Sequence, residues 1–238
     1  MKKSVSLVIV GFLLAIFVGS TVANPSTQKP AWATPNPYTI MPLGASITAG
    51  DPLGGGYRIK LWQTALKDHW NIHFVGSLSN GPASLGDKHH EGHSGYQIDQ
   101  IAQLVDNRLA TYKPRMILLY IGTNDAVNAV KNHDIADVPR RLKALIEKIF
   151  HDLPTVQLLV AKLGPTVNPE INANIQKINA AIPSIVRSEQ EQRHKIQLVD
   201  MSRVLTTRDL GKDGIHPTPQ GYDKMADQWA KAIQPLLK

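Results

Sequence analysis

The run MILLYI at residues 116–121 is the stretch that decides the fold. It is a continuous apolar segment, bounded by Pro114 before it and by Gly122 after it. A short apolar run between two such breakers is typical of a strand that is buried on both faces, as in a parallel sheet. Residues 156–163 form a second run of the same kind. The two runs therefore predict a sheet that is covered by helices on both sides.

Strand patterns and helical patterns alternate along the rest of the chain. Helical spacing places Ile98, Ile101 and Val105 on one stripe, for example. Strands are predicted at residues 38–43, 72–75, 116–121, 156–163 and 196–199, and helices at residues 57–70, 98–112, 138–150, 171–186 and 219–237. Strands that alternate with helices predict a three-layer α/β/α sandwich with a mostly parallel, five-stranded sheet in a single domain.

Residues 1–23 have the layout of a secretory signal peptide. Lys2 and Lys3 precede an apolar run at residues 5–19, and small residues follow as far as Ala23. This layout predicts cleavage after Ala23 and a secreted or periplasmic protein. An uncleaved N-terminal anchor is the alternative, although the run is short for a membrane span, which needs about 20 apolar residues.

The rest of the chain is cysteine-free and mildly basic. The 238 residues carry a formal net charge of +7, and removal of the two lysines in the signal segment would leave +5. Without cysteine, an exported chain has no disulfide and no thiol nucleophile. The basic residues are interspersed with acids, which indicates a solvated surface and not a nucleic-acid site. Residues 24–37, rich in proline, serine and threonine, are predicted to be a linker or N-terminal arm, and residues 38–238 the folded domain.

Three polar segments follow predicted strands. Residues 44–50 follow the first strand, residues 122–125 follow MILLYI, and the loop after the last strand carries Asp213 and His216. In open parallel sheets, ligands bind in the crevice beyond the carboxyl ends of the strands. We therefore expect the three segments to meet at one site.

Ser46, Asn124, Asp213 and His216 carry the side chains that can act at this site. A serine just past a buried strand and flanked by glycines lies where backbone amides can stabilise a developing oxyanion, although a simple turn also explains it. The Asn124 amide can donate to a substrate oxygen or can close an Asx turn. A carboxylate three residues before a histidine can hold its Nδ1 atom in one tight turn, which favours a catalytic pair.

Together these segments resemble the SGNH, or GDSL-like, hydrolase family. Residues 43–48 (LGASIT) look like its first block, and Gly95 looks like the glycine of its second. Residues 122–125 (GTND) match the third block and residues 213–217 (DGIHP) the last, in the order that the family has. The resemblance implies the flavodoxin-like fold of that family and the hydrolysis of carboxylic esters, without cofactor or metal ion.

The resemblance also implies a role for each residue. Ser46 would be the nucleophile, His216 its general base, and Asp213 the group that orients the imidazole. The oxyanion would be held by the backbone N–H groups of Ser46 and Gly95 and by the side-chain amide of Asn124.

A narrower resemblance is to family 3 carbohydrate esterases, which include acetyl xylan esterases. It rests on four stretches, MPLG at 41–44, GYR at 56–58, FVGS at 74–77 and HEGHSG at 90–95. It implies the removal of acetyl groups from a glycan, with His93 and Tyr96 as substrate-binding residues.

Two local patterns admit other interpretations. His89, His90, Glu91 and His93 are close enough together to suggest a zinc site, but no distant partner cluster is evident in the sequence, so none is predicted. The glycines at 54–56 lack the Lys-Ser/Thr of a P-loop and are expected to form a rim loop.

The choice of nucleophile also has alternatives. Ser77 and Ser94 do not lie at the end of the first strand, which leaves Ser46 as the expected nucleophile. Ala45 stands where the SGNH family usually has an aspartate that is not the triad acid. We therefore expect altered hydrogen bonding in the first loop but the same chemistry.

The sequence as a whole predicts an exported serine esterase. Its substrate is expected to be an acetylated polysaccharide or another small ester. A lysophospholipase or acyl-thioesterase on the same fold, and a non-catalytic glycan-binding module, are the alternatives. No nucleic-acid partner and no stable membrane insertion after signal cleavage are expected. The sequence does not define the oligomeric state.

Overall fold

The computed structural model describes residues 36–132 and 134–237. The predicted signal peptide and nearly all of the predicted linker lie outside these residues. No helix within the two described stretches is long and apolar enough to cross a membrane.

The described residues form seven strands and seven α-helices. The strands are β1 (Tyr38–Gly44), β2 (Ile72–Phe74), β3 (Leu78–Ser79), β4 (His89–Gly92), β5 (Met116–Tyr120), β6 (Gln157–Lys162) and β7 (Ile196–Asp200). The helices are α1 (Ser46–Ala49), α2 (Tyr57–Lys67), α3 (Ile98–Tyr112), α4 (Thr123–Asn132), α5 (Val138–Asp152), α6 (Pro169–Glu191) and α7 (Pro219–Ile233). Loops and short 3₁₀ turns join them.

The central sheet is mostly parallel and has the order β3-β4-β1-β5-β6-β7. β5, the MILLYI strand, lies between β1 and β6 and is buried along its whole length. β2 pairs with the first three residues of β1, whereas β4 pairs with the last two. The end of β1 is therefore enclosed by β4 on one side and by β5 on the other.

Two groups of helices flank the sheet. α2 packs against α7, and α3, α4, α5 and α6 pack against one another. Trp229 of α7 is fully buried, and its ring centroid lies 6.0 Å from that of Tyr57 in α2. The predicted α/β/α sandwich is confirmed.

The predicted number of strands was too small. All five predicted strands are present, but β3 and β4 were missed, and β3 runs antiparallel to β4. β4 has the sequence HHEG and contains no apolar residue, yet His90 and Glu91 are buried in it. Hydrophobic patterning cannot detect a strand whose buried side chains are polar and satisfied by hydrogen bonds.

Two helices were also missed, α1 and α4. α1 is a single turn, and α4 has the sequence TNDAVNAVKN, in which the buried positions are Asp125, Ala126 and Ala129. Small and acidic side chains on the buried face give little apolar periodicity. α6 begins earlier than predicted, at Pro169, because the Asn168 side chain caps it by accepting hydrogen bonds from the amides of Glu170 and Ile171.

Candidate active site

Ser46 is the first residue of α1 and follows the end of β1 by two positions. β1 packs so closely against β5 here that a side chain on Gly44 would approach the Tyr120 carbonyl oxygen to 2.1 Å. The turn of α1 then ends at Gly50, which has a φ of 88° that favours glycine. The glycines on both sides of Ser46 thus allow a sharp turn that presents its hydroxyl at the rim of the sheet.

The loop before α7 brings His216 to this hydroxyl. The His216 Nε2 atom lies 2.7 Å from the Ser46 Oγ atom. The loop is closed on itself by the Gly211 amide, which donates to the His216 carbonyl oxygen over 2.7 Å, and bends at Gly214, where φ is 69°. Thr218 caps the helix that follows by accepting a hydrogen bond from the Gly221 amide.

Asp213 holds the imidazole from its other side. Its Oδ2 atom lies 2.6 Å from the His216 Nδ1 atom, and its Oδ1 atom accepts hydrogen bonds from the amides of Ile215 and His216. Burial works to raise the pKa of Asp213, but these hydrogen bonds outweigh it and leave the pKa below its usual value. An ionised Asp213 keeps the proton on Nδ1, so that Nε2 can accept the proton of the serine.

Asn124 and Gly95 are the two other residues expected to hold the oxyanion. Asn124 is the second residue of α4 and lines the same small concavity as Ser46. Its side-chain Nδ2 atom donates to the Tyr96 carbonyl oxygen over 2.8 Å. An amide group carries two donors, so the other N–H remains for a substrate oxygen. Gly95 has a φ of 84°, and the space beside it is open.

His93 and Tyr96 form a stacked pair, and the His93 amide donates to the Gly44 carbonyl oxygen at the end of β1 over 2.9 Å. Their ring centroids are 4.9 Å apart and their planes differ by 22°. The His93 Nε2 atom lies 2.6 Å from the Glu91 Oε1 atom. We call the cavity that they line the polar cleft, which has a volume of about 360 Å³ and is also lined by Asp51, Asn80 and Ser94.

Glu91 anchors the polar cleft from below. It is fully buried and accepts hydrogen bonds from the amide and hydroxyl of Ser77 and from the Arg108 Nε atom. Burial opposes its ionisation, but the hydrogen bonds from His93 and Ser77 outweigh this effect and lower its pKa. The carboxylate is therefore charged and keeps His93 in one orientation.

A second cavity borders the loop that carries His216. It has a volume of about 570 Å³. We call it the apolar groove, and its apolar side chains are Pro52, Leu53, Ile59, Pro217 and Tyr222. Asp213 and His216 lie at its edge.

Arg58 connects α1, the turn that begins at Ser46, to the polar cleft. Its side chain is fully buried, and it donates to the carbonyl oxygens of Thr48, Ala49 and Lys88 and to Asn80. Burial lowers the pKa of Arg58 to about 10, so it stays charged near neutral pH. A single guanidinium thus ties the end of α1 to the β3–β4 hairpin.

The histidines near residue 90 do not converge on one point. His90 is buried, its Nδ1 atom accepts from the Gly92 amide over 3.1 Å, and burial lowers its pKa to about 3. His93 binds Glu91 in the polar cleft, whereas His89 contacts Asp87. Successive side chains of a strand point to opposite faces, which separates these neighbours.

Sequence reasoning assigned no role to Arg58, Asn80 or Glu91. Glu91 is a candidate metal ligand in the sequence and part of the HEGHSG stretch, and Arg58 is part of the GYR stretch, but neither pattern assigns these two side chains a role at the site. A buried charge cannot be recognised from sequence alone, since arginine and glutamate are usually exposed. The proximity of both residues to the predicted site blocks was the available signal.

Comparison with known proteins identifies the family. The model of the GDSL-like lipase/acylhydrolase family matches residues 40–229. The chain belongs to this family. The domain is therefore a serine hydrolase of carboxylic esters, and the resemblance predicted from the four sequence blocks is confirmed.

Solved structures of GDSL-like hydrolases include close matches. A family 3 carbohydrate esterase from Clostridium thermocellum is 36% identical, with a TM-score of 0.74, and the match covers 85% of this chain and 98% of that one. An acetyl esterase mutant with an acetate ion is 27% identical, with a TM-score of 0.73, and the match covers 84% and 97%. The narrower resemblance to family 3 carbohydrate esterases is thus confirmed as well.

A curated relative is longer than this GDSL-like chain. The multidomain esterase of Ruminococcus flavefaciens is 28% identical in an alignment 260 residues long, gaps included, that covers 96% of this chain. The chain spans only 32% of the length of that relative.

Proposed function

We propose that this domain is an exported acetylesterase that removes O-acetyl groups from a polysaccharide through an acyl-enzyme on Ser46. The observation that carries the proposal is the 2.7 Å contact between the Ser46 Oγ atom and the His216 Nε2 atom, with Asp213 on the other ring nitrogen. Hydroxyl, imidazole and carboxylate in this order are the arrangement that activates a serine for attack on a carbonyl.

The first half of the reaction forms the acyl-enzyme. The Ser46 oxygen attacks the ester carbonyl carbon while its proton passes to His216 Nε2. The resulting oxyanion receives hydrogen bonds from the N–H groups of Ser46 and Gly95 and from the Asn124 side chain. The tetrahedral intermediate then collapses, the bond to the alcohol breaks, and His216 returns its proton to the leaving oxygen.

Water completes the cycle in the second half. His216 accepts a proton from a water molecule, and the hydroxide attacks the acyl carbon of the ester on Ser46. The same donors bind the second oxyanion. Collapse releases acetate and restores the serine hydroxyl with the proton from His216, so the net reaction consumes one water molecule per ester.

Two observations support an acetylated carbohydrate as the substrate. Two solved structures that are similar to this chain are named as a family 3 carbohydrate esterase and as an acetyl esterase mutant with an acetate ion. The polar cleft offers hydrogen-bonding groups on Asp51, Asn80 and Ser94 and an aromatic surface on Tyr96. Hydroxyl-rich rings are bound by such combinations of polar groups and aromatic faces.

The apolar groove favours a second candidate, a lysophospholipase or acyl-thioesterase. A groove of about 570 Å³ with Pro52, Leu53 and Ile59 in its walls offers apolar surface to a long acyl chain. Each buried CH₂ group would contribute about 0.8 kcal/mol to binding. Under this second function, kcat/KM would rise with acyl-chain length.

The nucleophile is tested with Ser46→Ala. We expect hydrolysis of p-nitrophenyl acetate to fall by about 10⁴-fold or more, because the acyl-enzyme cannot form. Ser184, an exposed serine of α6, provides the matched control, and Ser184→Ala should keep wild-type turnover. A phosphonate inhibitor should add its mass to the wild type and to Ser184→Ala only. Wild-type turnover in Ser46→Ala would rule out Ser46 as the nucleophile.

The substrate is tested with a series of esters. The value of kcat/KM is measured for acetylated xylan, for acetylated oligosaccharides, and for p-nitrophenyl esters with about two to twelve acyl carbons. Release of acetate from the polysaccharide, with falling rates for longer acyl chains, supports the acetylesterase. The opposite ranking supports the second candidate, and binding of the glycan without turnover supports a non-catalytic module.

Export is tested separately on the full-length chain. In a bacterial host, the protein recovered from the periplasm or medium should begin at Asn24, because the small residues ending at Ala23 fit a signal-peptidase site. Ala23→Phe should block this cleavage. Retention of the intact chain in the cytoplasm would contradict the proposal.

A further inference from the structure

A second group of titratable side chains lies on β2 and β4. His73 is the middle residue of β2, His89 is the first residue of β4, and Asp87 precedes β4 by two positions. The ligand atoms of the three side chains all lie within 4.8 Å of one another. The proposed reaction uses none of these residues.

Asp87 is the centre of this group. Its Oδ2 atom lies 2.6 Å from the His73 Nδ1 atom, and its Oδ1 atom lies 3.0 Å from the His89 Nδ1 atom. The two imidazole rings face the carboxylate from different sides, with centroids 5.9 Å apart and an angle of 62° between their planes. Two imidazole nitrogens and one carboxylate thus lie close enough together to bind one ion after small side-chain movements.

The backbone around the group holds it in place. Asp87 is only 4% exposed, and the Phe74 amide donates to its Oδ2 atom over 2.5 Å. The carbonyl oxygen of Lys88, between Asp87 and His89, accepts from the buried Arg58 side chain over 2.9 Å. Hydrogen bonds of this kind orient metal ligands in proteins. The carboxylate and the start of β4 are therefore already positioned before an ion arrives.

An ion can reach the group from solvent. The side chains of His73 and His89 are 31% and 51% exposed. They line a cavity of about 250 Å³ together with Ser79 and Gly86. Three protein ligands at the base of an open cavity leave room for a water molecule as the fourth ligand.

We propose that His73, Asp87 and His89 form a binding site for one divalent transition-metal ion, with zinc as the preferred ion. Two imidazoles and one carboxylate are a ligand set that zinc accepts with tetrahedral geometry. Calcium and magnesium prefer oxygen ligands and would bind poorly. Binding requires that each coordinating nitrogen gives up its proton, so the protons now directed at Asp87 move to the other ring nitrogen or to solvent.

The site differs from the one that the sequence suggested and then rejected. In the sequence, residues 89–93 lack a further metal ligand from a distant part of the chain. In the structure, His73 on β2 is such a ligand for His89. The ion would join β2 to the start of β4, whose far end leads into His93 and the polar cleft. Its role would be structural, because the group does not contact Ser46 or His216 in the proposed reaction.

The test uses protein without a histidine tag, freed of metal by a chelator and dialysis. Zinc chloride is titrated into the wild type and into His73→Gln and His89→Gln, with bound metal measured by calorimetry. His151→Gln, which changes an exposed histidine of α5, is the control. We expect one ion per chain for the wild type and the control, and an affinity lower by about 100-fold or more for the other two.

Two further measurements keep the test independent of variant folding. Zinc at about a hundredfold excess over Kd should raise the Tm of the wild type by about 5 °C. Cobalt chloride added to the wild type should produce the intense visible bands of a tetrahedral site. Turnover of p-nitrophenyl acetate should be the same with zinc and with chelator.

Several results would overturn the proposal. They are no uptake of zinc by the wild type, equal uptake by His73→Gln or His89→Gln and the control, and a weak octahedral cobalt spectrum. Either of the first two would mean that Asp87 only pairs with two histidines, and the third would mean that the group does not hold an ion in tetrahedral geometry.

Discussion

The polar cleft and the apolar groove both border the turn that follows Ser46, at residues 49–52, and are built in opposite ways. The cleft rests on buried charges, since Glu91 and Arg58 are both fully buried beneath it. The groove takes its apolar side chains from loops and from α2 and α7, and Leu53 in its wall is 77% exposed. The cleft is therefore held by hydrogen bonds to buried charged groups, whereas the groove is formed mainly by apolar packing.

The difference separates chemistry from recognition. In the proposed mechanism, the loop that borders the groove supplies Asp213 and His216, which would act on any ester regardless of its alcohol. The segment that borders the cleft carries His93 and Tyr96, which we propose contact the group attached to the ester. Mutations on the two sides should therefore change different kinetic quantities.

The largest effect is expected for Asp213→Asn. The amide cannot hold the required tautomer of His216, so kcat should fall by about 10⁴-fold for every ester, acetylated glycan and aryl acetate alike. Asp223→Asn, an exposed residue that lines the same groove, should keep wild-type activity. A loss confined to glycan substrates would break the division between the two sides. Steady-state kinetics on both substrates provide the measurement.

Next in size is the loss of stability in Arg58→Met. The change removes the guanidinium donor from the carbonyl oxygens of Thr48, Ala49 and Lys88, and only the last two keep a backbone donor, from the amides of Gly55 and Asn80. Loss of these buried charge-assisted hydrogen bonds should lower the free energy of unfolding by about 3 kcal/mol. Lys60→Met removes an exposed pair with Asp227 and should cost less than about 1 kcal/mol. Urea denaturation measures both. Equal stabilities would show that the cleft does not depend on its buried charge.

A smaller and selective effect is expected for His93→Gln. Loss of the stacked ring and of the hydrogen bond to Glu91 should reduce kcat/KM on acetylated oligosaccharides by about 10-fold. Turnover of p-nitrophenyl acetate should change little, because that ester has no sugar. His151→Gln serves as the control. Equal losses on both substrates would mean that His93 acts on the reaction itself.

The smallest effect is expected for Leu53→Ser. Removing an exposed apolar side chain from the groove should lower kcat/KM on long-chain esters by about 5-fold, corresponding to about 1 kcal/mol of lost burial. Activity on acetate esters should be unchanged. If acetylated glycans are affected instead, the sugar occupies the groove and the proposed assignment of the two sides is reversed.

The side of the site that carries Asp213 and His216 could be predicted from the sequence, because it depends on residues that are close together in the chain. The strands around MILLYI follow from apolar runs, and the turn from Asp213 to His216 follows from spacing within four residues. That loop closes mainly through its own backbone and the Asp213 side chain, with one hydrogen bond from the distant Val167 amide to the Gly214 carbonyl oxygen. Local interactions of this kind are visible in a single sequence.

The cleft side could not be predicted in the same way. β4 is stabilised by contacts of Glu91 with Ser77 and Arg108, which come from other parts of the chain. The pairing of His73 with Asp87 likewise depends on the register of β2 and β4. Patterns of apolar residues contain no information about such polar pairs, because the pairs form only after the strands have met.

The hydrogen bond from Asn124 to the Tyr96 carbonyl oxygen connects the proposed oxyanion donor to the proposed sugar-binding residue. A sugar pressed against the Tyr96 ring would bear on the same backbone that sets the position of the oxyanion donor. Energy gained from the carbohydrate can then be spent on the transition state, so that esters without a sugar lose kcat as well as affinity. Under the proposed function, enzyme activity measured on simple aryl esters would accordingly underestimate the rate on an acetylated polysaccharide.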